Sequence, residues 1–131
     1  NMATYNHFYE MPVYKTCRAF RIKVTTFARK YFPKSEDYQL KAQLLNSVRS
    51  VTANIAEGFG RFHYQENIQY CRQSRGSLTE SMEHMITAYD DNFISKQLLA
   101  EINSDYKECL AALNSYIRYL KSAKLRVDNN K

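Results

Sequence analysis

The sequence predicts an all-α protein, an antiparallel up-down-up-down bundle of four helices. Three observations favour this fold. Apolar residues recur at steps of three and four along four separate segments, which is the spacing of one helix face. The 131 residues include only three glycines and two prolines, too few for a chain built of many tight turns. The connections between the segments are short, and short connections place successive helices antiparallel.

The first helix is predicted over residues 12–31. Pro12 suits its first turn, where the missing N–H costs nothing, and Pro33 stops it because the residue before a proline avoids the helical conformation. Residues 1–10 are polar and aromatic without a clear period, and we expect them to form a flexible arm. The apolar stripe of the helix comprises Val13, Cys17, Phe20, Val24, Phe27 and Tyr31.

The second and third helices follow at residues 38–59 and 64–90. The turn at 34–37 offers N-cap side chains for the second helix. Small residues along the second helix would let another helix approach closely. The third helix closes at Asp90-Asp91-Asn92, a polar run that ends its apolar stripe.

The fourth helix is predicted over residues 95–121. Ser95 is a candidate N-cap, because its hydroxyl can accept a hydrogen bond from a free N–H of the first turn. The tail from Ser122 onward is basic and polar, and we expect it to fray. The four helices form one domain over residues 1–131, since a chain of this length fills a single core.

The composition also indicates where the protein resides. No apolar run approaches the ~20 residues of a transmembrane helix, and no charged segment followed by an apolar one opens the chain as in a secretory signal. Cys17, Cys71 and Cys109 are odd in number and fall on apolar stripes, which indicates reduced core residues. We therefore expect a cytoplasmic protein without membrane association.

The net charge of +6 is unevenly spread along the chain. Residues 1–62 carry ten Lys/Arg and four Asp/Glu, residues 63–117 carry four and eight, and residues 118–131 carry five and one. This asymmetry predicts a polyanionic partner, although a solvated face or a contact with an acidic neighbouring subunit would account for the same residues. The predicted nucleic-acid surface comprises Lys15, Arg18, Arg21, Lys23, Arg29, Lys30, Arg118, Lys121, Lys124 and Arg126.

A polar row lies beside the apolar stripe at the end of helix two, and Arg75 falls within the stripe of helix three. A charged group beside a core needs a partner, so Glu57 is predicted to pair with Arg75. A ligand pocket lined by the same groups is one alternative, and an Arg75 that bends outward is another. The predicted structural network comprises Asn54, Glu57, Arg61, Arg75 and Ser77.

For each kind of catalytic, metal or cofactor site considered, the sequence lacks residues that the site requires. A di-iron bundle needs carboxylates on all four helices with Glu-x-x-His pairs on two, but helix one has none in its interior and His84 follows Glu80 by four residues. Gly58-x-Gly60 lacks the preceding strand and the third glycine of a dinucleotide site. The three histidines have no evident nucleophile beside them. We expect no enzymatic activity, metal or cofactor, and we expect Gly58 or Gly60 to end helix two with a positive φ.

Two motifs about fifteen residues apart are similar to a known family signature. Asn54-Ile55-Ala56-Glu57-Gly58-Phe59-Gly60-Arg61 is followed by Arg75-Gly76-Ser77-Leu78-x-Glu80. The pair resembles the signature of the bacterial four-helix-bundle family named for the 23S rRNA intervening sequence. The signature glycines are Gly58, Gly60 and Gly76.

The resemblance extends over nearly the whole chain, including the Phe32-Pro33 turn with Glu36 and the Leu40-x-x-Gln43 opening of helix two. It implies a bundle that assembles into homopentameric rings and has no enzymatic activity. A distantly similar bundle is the accessory protein of diversity-generating retroelements, which binds a reverse transcriptase and nucleic acid. Two functions therefore stay open: binding RNA or DNA without base-specific readout, and serving as a scaffold or protein-partner accessory factor. The sequence departs from the family pattern at Cys71, Gln73 and Ser74.

Overall fold

The computed structural model describes residues 5–130, which form four long helices and no strand. The fold is all-α, as the sequence predicted. Two short 3₁₀ helices, Phe8–Glu10 and Lys34–Glu36, precede the first and second long helices. The long helices are α1 (Pro12–Tyr31), α2 (Leu40–Gly60), α3 (Tyr64–Asp90) and α4 (Lys96–Asn129).

The four helices pack in a cycle, with α1 against α2, α2 against α3, α3 against α4, and α4 back against α1. Residue pairs across α2 and α3 run in opposite order, because Ser47 meets Ser81 near one end while Val51 meets Ser74 further along. The same order holds between α1 and α4, where Thr16 meets Cys109 while Lys23, further along α1, meets the earlier residues Asp105 and Glu101. The helices of these two pairs are therefore antiparallel.

The core is built from the apolar stripes of all four helices and contains the three cysteines, which are buried and form no disulfide. Burial raises the pKa of the Cys71 thiol from its ordinary value of 9.0 to about 12. The neighbouring Cys109 thiol, together with burial, raises the pKa of Cys17 as well. In residues 5–130, no helix is both long and apolar enough to cross a bilayer.

The raised thiol pKa values make stability depend on alkaline pH. Below pH 9.0 the Cys71 thiol is protonated in the folded and unfolded states, so its full contribution to stability is present. Between pH 9.0 and about 12 the unfolded state loses the proton first, and each such thiol lowers the unfolding free energy by at most ~1.4 kcal/mol per pH unit. We expect urea unfolding to show that the unfolding free energy falls with pH in this range, and we expect a less steep fall for Cys71→Ala. An identical dependence on pH in the variant would contradict a raised pKa at Cys71.

Both termini differ from the sequence-based expectation. Tyr5 and Phe8 of the predicted flexible arm pack against the core, and Glu10 Oε1 accepts a hydrogen bond from the His7 N–H at 2.8 Å. Residues 1–4 of that arm lie outside the described residues. The tail predicted to fray instead continues α4 as far as Asn129, because Ala123 is buried and Lys124 pairs with Asp128 one turn later at 2.7 Å. Lys131 lies outside the described residues.

The prediction that Gly58 or Gly60 has a positive φ was wrong. No glycine has a positive φ; the left-handed residues are Phe62 and Asn92, with φ of 57° and 65°. Gly58 is instead required by the close approach of α2 and α3, since a Cβ there would lie 2.6 Å from Asn67 Oδ1 and 2.9 Å from Tyr70 Cβ. The other two signature glycines have open space around them.

Candidate nucleic-acid interface

Helices α1 and α2 form one side of the bundle, and this side is strongly basic. Residues 12–31 contain six Lys/Arg and residues 40–56 contain two, and neither stretch contains an Asp or Glu. The apolar stripes of both helices face the core, so most of these cations point outward. Lys41 Nζ lies 2.6 Å from Asp37 Oδ1, just before α2, but most of the other cations on this side form no ion pair within the described residues. Such a surface attracts polyanions over distances of several ångströms.

A groove of about 280 Å³ lies between the two helices. Arg21 on its wall is held in place, because its Nη1 donates a hydrogen bond to the buried Thr52 Oγ1 at 2.7 Å. Guanidinium groups bind phosphate through paired N–H donors. We call it the arginine groove, and its lining residues are Arg21, Ile22, Thr25, Thr26, Arg29 and Arg49.

A second cavity, of about 500 Å³, lies at the beginning of α1. We call it the tyrosine pocket; it is lined by Tyr9, Tyr14, Lys15 and Arg18. Arg18 precedes Arg21 of the arginine groove by three residues, so their side chains are neighbours on the helix surface. The arginine groove and the tyrosine pocket together form one surface, which we call the basic strip. From Lys15 to Arg29 the basic strip is about 21 Å long at 1.5 Å per residue, or about six base steps of a duplex.

Lys23 was predicted to contact nucleic acid, but the structure pairs it within the subunit. Its Nζ lies 2.7 Å from Asp105 Oδ2 and 2.7 Å from Glu101 Oε1, both on α4. Hydrogen bonds to Asp105 and then Glu101 raise the pKa of Lys23. Its charge is therefore neutralised on the α1–α4 side of the bundle, away from the arginine groove. Lys30 is exposed near the end of α1, as expected.

The cations of α4 do not all extend the α1 surface as predicted. Lys121 and Lys124 line a cavity of about 140 Å³ between α3 and α4, together with Arg72. Lys124 is also paired with Asp128 at 2.7 Å. The last turns of α4 do lie at the end of the bundle where α1 begins, but the helical twist turns these two lysines toward α3. The other two predicted residues, Arg118 and Arg126, are exposed.

The predicted buried pair between Glu57 and Arg75 is absent. Arg75 is half-buried, and its Nη1 donates to Asn114 Oδ1 of α4 at 2.8 Å. Glu57 is exposed, and its Oε1 lies 3.4 Å from Nη2 of Arg61, the residue that directly follows α2. Arg61 also donates a hydrogen bond to Tyr70 Oη at 2.8 Å. These contacts form a surface cluster, and Arg75 belongs to the α3–α4 interface.

The register of α2 against α3 explains this correction. Ser74 donates a hydrogen bond to the Val51 carbonyl at 2.7 Å, so Arg75 lies at the level of Val51. Glu57 is six residues further along α2, a distance of about 9 Å at 1.5 Å per residue. The apolar stripe of a helix predicted which face each residue occupies. It did not predict the level along the bundle at which that residue meets a neighbouring helix.

Arg61, directly after α2, lies 3.8 Å from Glu66 of α3, but further along the two helices hydroxyl groups make the connections. The Ser47 and Ser81 hydroxyl oxygens are 2.8 Å apart, and those of Ser50 and Ser77 are also 2.8 Å apart. Asn54 Nδ2 donates to the Ser50 hydroxyl at 2.9 Å. Asn54 and Ser77 of the predicted network are therefore linked through Ser50, which satisfies their polar groups without Arg75.

Because Glu57 is exposed, its removal should be mild. We expect Glu57→Leu to change the unfolding free energy by no more than about 0.5 kcal/mol, as for most surface substitutions. Ser74→Ala, which removes a buried hydrogen bond, should cost about 1 kcal/mol. Urea unfolding of both variants measures which one loses more unfolding free energy. A larger loss for Glu57→Leu than for Ser74→Ala would indicate that Glu57 does form a buried ion pair.

The sequence reasoning missed six lining residues of the basic strip, which are Tyr9, Tyr14, Ile22, Thr25, Thr26 and Arg49. Arg49 lies at an exposed position of α2, within residues 40–56, which contain no Asp or Glu. Its place opposite the apolar stripe could have indicated that it belongs to the basic surface. Tyr9 and Tyr14 flank the first cations of α1. Their convergence with Lys15 and Arg18 depends on the 3₁₀ helix folding back beside α1, which no local pattern predicts.

Together, the fold and this strip define a class of protein: a small helical bundle with one basic side. A family model described as 23S rRNA-intervening sequence protein matches residues 9–115. The chain belongs to this family, which confirms the resemblance inferred from the two motifs.

A solved structure agrees with the fold. It is a protein with unknown function from the S23 ribosomal protein family of Bacteroides thetaiotaomicron, with a TM-score of 0.74 and 19% identity. The match covers 81% of this chain and 95% of that one. At this identity the likeness shows the fold alone. None of the curated proteins compared with the chain matches it.

Proposed function

We propose that this chain is a non-enzymatic, cytoplasmic protein that binds RNA or DNA through phosphate groups along the basic strip. The observation that carries the proposal is the arginine groove, where Arg21, Arg29 and Arg49 line one small cavity. The two helices that form its walls contribute no carboxylate over residues 12–31 and 40–56. Several like charges around one groove repel one another, and a phosphate backbone removes that repulsion.

The chemistry of the groove predicts how binding depends on sequence and salt. Its cations match phosphate and sugar oxygens, which carry no base information. Affinity should therefore be similar for different sequences and should fall linearly with the logarithm of salt concentration. The family name refers to an rRNA intervening sequence, and a structured RNA is a polyanion of the kind this strip suits.

Fluorescence anisotropy tests the proposal directly. Labelled RNA and DNA duplexes longer than the strip are titrated with the protein between about 50 and 200 mM salt. We expect micromolar or weaker binding that weakens steeply with salt and is unchanged when the base sequence is scrambled. No binding of either nucleic acid at about 50 μM protein and the lowest salt would refute the proposal.

Exposed apolar side chains favour a second function, assembly with itself or with another protein. Tyr38 in the α1–α2 connection is 95% exposed, Phe62 between α2 and α3 is 72% exposed, and Leu125 on α4 is 61% exposed. Large apolar groups left in water are often contacts for a partner. The resemblance noted above implies a homopentamer, in which such groups would meet neighbouring subunits. A scaffold or an accessory factor for a protein partner would use the same surfaces.

Self-assembly is tested by light scattering. We expect a mass close to five times the chain mass of 15.4 kDa at micromolar concentration. Phe62→Ser should lower the measured mass if this residue is a subunit contact, and Lys107→Ser on the exposed face of α4 is the control. A monomer mass for the unmodified chain would contradict the assembly.

A further inference from the structure

The tyrosine pocket differs in chemistry from the arginine groove beside it. Two of its four lining residues are aromatic and the other two are Lys15 and Arg18. Tyr9 is 53% exposed although it is a large aromatic residue. Its cavity of about 500 Å³ lies within the range of roughly 300–1,000 Å³ typical of small-ligand sites. An aromatic surface combined with cations suits a ligand that is flat on one part and anionic on another.

The aromatic rings of this pocket are held in place by their neighbours. His7 stacks on Tyr9, with ring centroids 5.0 Å apart and an interplanar angle of 4°. Phe8 meets Tyr14 edge-on at 5.0 Å. Glu10 Oε1 closes the turn beneath them by accepting from two backbone N–H groups. A ligand that stacks here therefore loses less free energy to the ordering of side chains.

The pocket is also continuous with the phosphate-binding surface. Arg18 lines the tyrosine pocket, and Arg21, one helical turn later, lines the arginine groove. A strand whose phosphates follow the groove would reach the pocket at the beginning of α1. A paired base cannot enter, because its faces are covered by its neighbours in the duplex; an unpaired base presents a free face for stacking.

We infer that the tyrosine pocket takes an unpaired nucleobase, so that the protein prefers single-stranded segments or overhangs to blunt duplexes. The inference rests on the proposed function and deepens it. Tyr9 and Tyr14 supply the stacking surface, and Lys15 and Arg18 hold the flanking phosphates. Stacking on tyrosine is tolerant of base identity, which agrees with binding that is independent of sequence.

Anisotropy with matched probes tests the inference. The probes are fluorescein-labelled oligothymidylate and oligouridylate of about 12 nucleotides and a blunt duplex of the same length. We expect Tyr9→Ala/Tyr14→Ala to weaken binding of both single strands about tenfold or more, since one stacked base is lost. Duplex binding and the salt slope should not change. Tyr9→Phe/Tyr14→Phe retains stacking and should bind like the unmodified chain, and Ile86→Ala, at an exposed position of α3, is the surface control.

The outcomes separate the inference from the function on which it rests. Equal binding of single strands by the unmodified chain and the double alanine variant, with duplex binding intact, would overturn the inference alone. Absence of binding to every probe would overturn both. A 2-aminopurine in the single strand provides a second readout, because stacking on tyrosine should quench its fluorescence and the alanine variant should not. A circular-dichroism melt of each variant confirms that it is folded.

Discussion

Arg29→Glu/Arg49→Glu should weaken nucleic-acid binding about a hundredfold near 100 mM salt. Each phosphate contact contributes about 0.9 to the slope of log K against log salt. Over the one decade between about 1 M and 0.1 M salt, two contacts therefore account for nearly two decades of affinity. The slope itself should become flatter by up to about 2. Both arginines are exposed, so the substitutions leave the core untouched. Anisotropy over a salt series measures both quantities.

The matched control for this variant is Lys96→Glu/Lys107→Glu. Both lysines are exposed on α4, and the change in net charge is the same as in the groove variant. Long-range attraction depends on net charge and is screened within about 10 Å at 0.1 M salt, so the control should lose only a few-fold in affinity. Equal losses in the two variants would show that binding follows total charge and that the arginine groove is not the site.

Gly58→Ala should be the most destabilising single substitution among the signature glycines. The added Cβ would lie 2.6 Å from Asn67 Oδ1 and 3.2 Å from the Asn67 carbonyl oxygen. Asn67 is fully buried, and its Nδ2 donates to Tyr116 Oη at 3.1 Å. Relief of the clash would therefore require α2 and α3 to move apart or this hydrogen bond to break. We expect a loss of about 1–3 kcal/mol in unfolding free energy, the usual range for overpacking.

Gly76→Ala is the control, because it is the same substitution in the interior of α3 with nothing within 4 Å of the new Cβ. Alanine favours a helix over glycine by about 1 kcal/mol, so this variant should be as stable as the unmodified chain or more stable. Urea unfolding of the two variants gives the comparison. If Gly58→Ala were also stabilising, the close approach of α2 and α3 would not be the reason for Gly58.

The helices themselves were largely predictable from the sequence. Steps of three and four between apolar residues are a local property, so they specified four helices and the face that each one buries. The N-cap at Ser95 was also predictable; its hydroxyl accepts from the Leu98 N–H at 3.1 Å. The end of α4 was not predictable from the sequence, because the residues after Ser122 are polar on average. Their helix is stabilised by a contact with α3 and by the Lys124–Asp128 pair.

The candidate site was predicted only in outline. A basic α1 is visible in the composition, and Lys15, Arg18, Arg21 and Arg29 do line the strip. The contribution of α2 was missed, because a groove exists only where two helices meet. The ion pairs of Lys23 were also missed, since its partners on α4 are far from it in sequence and close only in the folded chain.

The sequence by itself determined the fold class, the family and the sign of the charge on the α1 side. These follow from local periodicity, short motifs and composition, which do not depend on how helices pair. The tertiary structure decided the register between helices, and with it the partner of Arg75, the requirement for Gly58 and the convergence of Arg49 with α1. Register depends on how side chains of two different helices fit together, and apolar spacing along one helix specifies the buried face but not the level at which a neighbour packs.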